Sequence, residues 1–189
     1  MQRNRGVIRR ADWLAEGLSL YSLYALKSRE AVYQVCPGVY AAPDAMTRQE
    51  EIVQLLSRKH PRMVMNLLSA LQFHQMTTQI PQALFLAMPR GARVPRVSFC
   101  RLEVKRLLSA FMEMGAEVYQ GTWGAFRVFN PERCVADLFR YRSEFGQDVF
   151  LEALHEYRNR KGTRPALLME YAERLGVLKG ITPYLETAL

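Results

Sequence analysis

The chain has 189 residues, 49% of them apolar, and a formal net charge of +8. That length suits one large domain or two small ones, with enough apolar residues for a real core. No apolar run reaches the roughly 18–20 residues of a membrane span, and the Arg-rich start lacks the apolar stretch of a signal peptide.

The three cysteines, Cys36, Cys100 and Cys134, are odd in number and far apart. That fits free thiols in a reducing cytoplasm better than a disulfide framework or a zinc site. The charge is uneven. Residues 1–110 hold 16 Lys/Arg against 7 Asp/Glu, whereas residues 111–189 hold 10 against 11. A basic front half suggests an anionic partner such as nucleic acid.

Residues 1–9 read as a basic arm carrying Arg3, Arg5 and Arg9 and ending in a short strand at Val7-Ile8. Arg10 to Glu16 is expected to be a short helix ended by Gly17. A second helix follows from Leu18-Ser19 to about Ser28. Ala31 to Ala41 reads as two short strands about Pro37-Gly38. Helix, glycine turn, helix and hairpin is the order of a winged helix-turn-helix. Ser19, Tyr21 and Ser22 then open the recognition helix, and Lys27 and Arg29 close it. The hairpin itself is not basic: residues 30–47 contain no Lys or Arg and two acids, Glu30 and Asp44. Phosphate contacts dominate sequence-independent affinity, so this module is expected to bind DNA weakly alone. A helix upstream of Val7, normal in such a module, has no room here.

A boundary at Pro43 to Thr47 divides the chain into a winged-helix-like module, 1–43, and a larger α+β domain, 44–189. Thr47-x-x-Glu50 has capping-box spacing for a helix with Ile52, Val53, Leu55 and Leu56 on one face. Pro61 to Phe73 is expected to form another helix, flanked by His60 and His74, which read as loop and cap residues. Pro81 to Met88 reads as a buried strand. Arg90, Arg93, Arg96, Arg101, Lys105 and Arg106 follow with only Glu103 opposing them, the densest basic run in the chain. Arg90, Arg93 and Arg96 fall on a Pro/Gly-marked loop and could clamp phosphates. A strand at Val97–Arg101, a helix at Val104–Met114 and a hairpin around Gly121-Thr122-Trp123-Gly124 complete a short, mostly antiparallel sheet.

The C-terminal part is helical. Asn130 is a suitable N-cap, Pro131 fits the first helical position, and Glu132 complements the helix dipole. Helices after Phe145-Gly146 and after Thr163 to Pro165 follow. Gly176 is a C-cap glycine, and Thr182-Pro183 is expected to open a last short helix.

Enzymatic readings find little support. Glu103-Val104-Lys105 has the spacing of a metal-dependent nuclease, yet no Asp or Glu lies between Glu51 and Glu103 to complete a ligand set. No Asp-x-Asp, Gly-Ser turn, P-loop, dinucleotide fingerprint or nucleophile elbow occurs. Asp137 is expected to pair with Arg133, Arg140 or Arg142 on exposed helix surface. Asp148 is expected to support a helix start, and Cys134 to be buried and inert. No catalytic residue, metal or cofactor is expected.

The segment Pro131-Glu132-Arg133-x-Val135-Ala136-Asp137-Leu138-Phe139-Arg140-Tyr141-Arg142 continues with Gly146-x-Asp148-Val149-x-Leu151-Glu152-Ala153-Leu154. After it comes Leu168-x-x-Tyr171-Ala172-x-Arg174-Leu175-x-Val177-Leu178-Lys179-x-x-x-Pro183-Tyr184-Leu185-Glu186. This wording resembles the C-terminal part of the AbiEi-type antitoxins of type IV abortive-infection toxin–antitoxin systems. The stretch Gly6 to Pro43 also resembles the N-terminal winged helix of that family, whose wing typically ends in Gly-hydrophobic-Tyr, as Gly38-Val39-Tyr40 does. The resemblance implies a DNA-binding autorepressor acting on promoter inverted repeats, with antitoxin action in the C-terminal domain. It also implies a nucleotidyltransferase-like toxin as counterpart, without need of a stable complex. A protein-interaction module whose wing has lost DNA contact is the alternative of a different class, and a degenerate nuclease-like enzyme is a third.

Overall fold

The computed structural model describes residues 6–43, 45, 48–97 and 100–188. Val7–Arg9 forms β1, Arg10–Ala15 α1, Leu20–Ser28 α2, Tyr33–Cys36 β2 and Val39–Ala41 β3. β3 is the central strand of an antiparallel sheet ordered β1-β3-β2, with Val7 opposite Ala41 and Arg9 opposite Val39. Alternation along a strand sends successive side chains to opposite faces. Val7, Val39 and Ala41 therefore join the main core, while Ile8 and Tyr40 face a small second core of Trp13, Leu23 and Val32. This sheet is thus covered on both sides.

Gln49–Ser57 forms α3, with Glu50 and Glu51 in its first turn and Ile52, Val53, Leu55 and Leu56 buried. The expected Thr47 cap lies outside the described residues. Residues 61–73 are not one helix. Val64–Met65 is a strand, β4, and Leu67–Phe73 is a separate helix, α4. Val64 and Met65 occupy the centre of a second sheet, bonded antiparallel to β5, Leu84–Pro89, and parallel to β8, Gly124–Phe129. Asn66 is extended and Leu67 has φ 46°, so the chain breaks before α4 starts.

The strand expected at 97–101 begins instead at Leu102. β6, Leu102–Leu107, runs parallel to β5, with Leu84 opposite Leu102 and Leu86 opposite Val104. It takes the first half of the helix expected from Val104, leaving only Ser109–Glu113 as α5. β7, Ala116–Gly121, forms the expected hairpin with β8. The order is β6-β5-β4-β8-β7, and the sheet is mixed rather than mostly antiparallel, because β5–β6 and β4–β8 are both parallel pairs. The fold is α+β, with ten helices among the described residues.

The C-terminal helices are α6 (Pro131–Arg140), α7 (Arg142–Phe145), α8 (Gln147–Asn159), α9 (Pro165–Arg174) and α10 (Leu178–Ala188). Asn130 caps α6 by accepting from Arg133 N at 3.0 Å. Gly115, at φ +77°, lies so close that a Cβ there would meet Arg133 Cβ at 2.8 Å. Gly176, at φ +72°, ends α9: its N–H reaches Glu173 O and that of Val177 reaches Ala172 O, the Schellman pattern. Val177 O then accepts from Gly180 and Ile181. α10 therefore starts at Leu178 rather than at Thr182, and Pro183 falls inside it.

α6 packs among α4, α8 and α9, and every side chain from Glu132 to Phe139 is buried. The Asp137 ion pair is consequently not on exposed surface. Arg133 Nε donates to Asp137 Oδ2 at 2.9 Å, and its Nη1 donates to Phe111 O and Met114 O. Glu132 does more than face the helix dipole. It accepts from Arg164 Nη2 at 2.9 Å and Arg164 N at 3.1 Å, which fastens the start of α9. Buried charges persist only when paired and hydrogen-bonded, and both of these are.

Candidate nucleic-acid interface

α2 is held at both ends. Ser19 caps it by accepting from Ser22 N, Ser22 Oγ donates to Ser19 O at 2.7 Å, and Trp13 Nε1 donates to the same carbonyl at 2.9 Å. These bonds fix the angle between α1 and α2, and they occupy the Ser19 and Ser22 hydroxyls in capping. Lys27 Nζ reaches Gln34 Oε1 on β2 at 3.3 Å. Arg29 is the exposed residue that ends α2. Tyr21, 84% exposed, projects into solvent with Leu18 and Tyr24 also exposed nearby in the chain.

Of the basic arm, Arg3 and Arg5 lie outside the described residues. Arg9 is paired: Nε and Nη2 bond Asp12 at 2.6 and 2.8 Å, and this holds the Asp12 carboxyl below its ordinary range. Arg10 is exposed at the start of α1, where its backbone N–H donates to Gly38 O at 2.8 Å.

Arg90, Arg93 and Arg96 lie on the connection from β5 to β6 and are exposed. Arg106 on β6 braces that connection by donating to Pro89 O and Ala92 O. Arg93 and Arg96 flank a cavity of about 300 Å³ whose other walls are Cys36 and Pro37 of the hairpin turn and Leu56, Lys59 and His60 at the end of α3. Across Cys36, Pro37 and Lys59 lies a second cavity of about 420 Å³, lined by Arg9, Arg10, Leu14 and Arg58 among others. The fold thus joins Arg9 and Arg10 to Arg93 and Arg96 along one ridge, and among the described residues no acidic one lines either cavity. Among the described residues, Arg10, Arg58, Lys59, Arg90, Arg93 and Arg96 form no ion pair. Lys59 Nζ donates to Pro37 O at 2.7 Å. Burial, helped by the Lys59 charge, lowers the pKa of His60, and burial raises that of Cys36.

Arg90 and the α2 residues Ser19, Tyr21, Ser22, Lys27 and Arg29 line neither cavity. Sequence reasoning passed over Arg58 and Lys59 and read His60 only as a loop or cap residue. Their signal was three consecutive basic-type residues just past an amphipathic helix.

Glu103 pairs with Arg101 on the edge strand β6, and Lys105 Nζ is held by Glu144 and lies 4.6 Å from the Tyr141 ring centre. Among the described residues no three His, Cys, Asp or Glu side chains converge as metal ligands. His74 is a buried helix cap whose Nε2 donates to Phe129 O at 2.8 Å. Cys134 is buried, donates to the same carbonyl, and has its thiol pKa pushed well up by burial. Asp148 sits in the first turn of α8. Among the described residues no helix is long and apolar enough to cross a membrane.

No family model matches the sequence, and no curated protein sequence matches it. The fold is similar to that of the crystal structure of the RV2827C protein from Mycobacterium tuberculosis. The TM-score is 0.62 with 13% sequence identity, over 94% of this chain and 74% of that one. At that identity the likeness is one of fold.

Proposed function

We propose that the chain is an AbiEi-like type IV antitoxin that binds DNA and represses its own promoter. The observation that carries this reading is the basic ridge running from Arg10 through Arg58 and Lys59 to Arg93 and Arg96, whose cations form no ion pair among the described residues. Such cations can replace counterions on a phosphate backbone. The element order β1-α1-α2-β2-β3 with strand order β1-β3-β2 supports a winged helix, in which α2 would enter the major groove. Its exposed Tyr21 would then stand near base edges. The C-terminal resemblance supports the antitoxin part. On that reading the counterpart is a nucleotidyltransferase-like toxin, opposed without a stable complex, and the chain itself is non-catalytic.

Two measurements test it. In a gel shift, duplex from the chain's own promoter should be retained at lower protein concentration than a scrambled duplex. Co-expression should relieve growth arrest caused by an adjoining nucleotidyltransferase. Equal retention of both duplexes sinks the repressor half, and failure of relief sinks the antitoxin half. Metal-dependent cleavage of DNA or RNA that vanishes on Glu103→Ala would overturn the non-catalytic reading. A protein-interaction module is the second reading, and Leu14, Leu18, Tyr21 and Tyr24, each exposed on α1, α2 or the turn between them, favour it. Equal retention of both duplexes in the gel shift would move the reading there.

A further inference from the structure

We propose that the cavity between the Cys36-Pro37 turn and the β5–β6 connection binds a free mononucleotide. Its volume of about 300 Å³ lies at the lower end of the range for small-ligand pockets, roughly 300–1,000 Å³. Its chemistry is divided. The exposed Pro37 and Val94 present its accessible apolar surface, above a floor of the buried Leu56 and Pro95, and Lys59, Arg93 and Arg96 line it beside them. An apolar wall takes a base or ribose face, and guanidinium and ammonium groups take phosphate oxygens.

The rim is set in advance of any ligand. Lys59 Nζ is tethered to Pro37 O by one of its three donors, which leaves two for an anion. Arg106 braces the connection that carries Arg93 and Arg96. Among the described residues no acid lines the cavity to neutralise these cations. His60 completes the wall and, kept neutral by its surroundings, offers a hydrogen bond to a base edge. A duplex phosphate could rest on the rim, but a stacked duplex has no apolar body to place on the floor. A free nucleotide has both parts. This inference stands apart from promoter binding, because its ligand need not be nucleic acid.

The test titrates the full chain calorimetrically with ADP, GDP, adenosine and pyrophosphate. A diphosphate nucleotide should bind more tightly than either adenosine or pyrophosphate. Arg93→Ala with Arg96→Ala should weaken the nucleotide and pyrophosphate by on the order of tenfold or more, the loss expected for charge-assisted hydrogen bonds, and leave adenosine unchanged. Val94→Trp, at an exposed rim position, should block the nucleotide while the thermal transition of the protein stays in place. Pyrophosphate binding as tightly as ADP or GDP overturns the proposal, and so does nucleotide affinity unaltered in both variants. If only duplex DNA responds to these changes, the cavity is a stretch of phosphate-contact surface and the proposal fails.

Discussion

Arg133 and Asp137, one turn apart on α6, form an ion pair that solvent scarcely touches: their side chains are 0% and 5% exposed. Arg133 also lies over the Phe129 ring at 4.4 Å and bonds two carbonyls at the end of α5. This one guanidinium therefore ties α6 to α5 and to β8. Removing one partner of such a pair leaves the other charge stranded in a poor solvent. Arg133→Met should destabilise the protein by about 3–5 kcal/mol, and adding Asp137→Leu should recover the part due to the stranded carboxylate but not the part due to the two carbonyls left without their donor. Urea unfolding of wild type, single and double variants measures it. A single variant within about 1 kcal/mol of wild type would show the pair to be no more than a surface bridge.

His74 gives a prediction in pH. Burial is the main cause lowering its pKa below 6.5, with the hydrogen bond to Phe129 O acting against it. In the window below the unfolded value of about 6.5, the unfolded chain binds a proton that the folded chain refuses. The stability tied to His74 is therefore complete above that value. It is lost as the pH falls through the lowered folded value. His74→Gln retains a donor for Phe129 O and cannot titrate. Its denaturation midpoint should fall less than that of wild type between pH 7 and 5. Parallel curves would remove His74 as a source of acid sensitivity.

Much of this was readable from residues. Asn130-Pro131 marked the start of α6, Gly176 the end of α9, and Pro37-Gly38 and Gly121 to Gly124 the two hairpins, since each is local backbone chemistry. β4 was not readable. Met63-Val64-Met65 is a short apolar run, and a two-residue central strand has no period to detect. β6 was displaced because Pro95 and the basic residues masked the alternation that begins at Leu102. The burial of Glu132, Arg133 and Asp137 escaped as well, because charges at helical spacing look like a solvated face. Only the helices packed around α6 reveal otherwise. Of the candidate interface, Arg93 and Arg96 were visible as a basic loop. Their juxtaposition with Cys36 and Lys59 depends on tertiary contacts distant in sequence.

On the DNA-binding reading, sequence preference and affinity should separate. Tyr21→Ala should weaken binding to the promoter while non-specific binding changes little. Changing Arg90, Arg93 and Arg96 together to Ala should weaken all duplexes alike and flatten the salt slope by about two to three units, near 0.9 per lost contact. Titration of promoter and scrambled duplex at several salt concentrations checks both, and an unchanged slope removes these arginines from the DNA surface.

The division at Pro43 can be tested by truncation. Residues 44–189 contain all of the second sheet and the helices from α3 onward, so they should unfold cooperatively alone. Their midpoint should be lowered, because Val7, Val35, Val39 and Ala41 share one apolar core with Ile52 and Leu55. A soluble fragment with no cooperative thermal transition would make the chain a single folding unit.

The parallel pairing of β5 with β6 constrains how this protein can vary. Neighbouring parallel strands cannot be joined by a tight turn. The chain must travel back along the sheet, about 20 Å for strands of this length, before the second strand begins. The arginine-bearing segment is that return path. Its side chains are therefore open to exchange, whereas its length is dictated by the geometry of the sheet. Deleting several residues between Arg90 and Arg101 should unseat β6 from the edge, even where the same arginines can be replaced one by one with little effect on folding. Related chains could thus gain or lose charge in this segment by point substitution, but a marked shortening would require a different sheet.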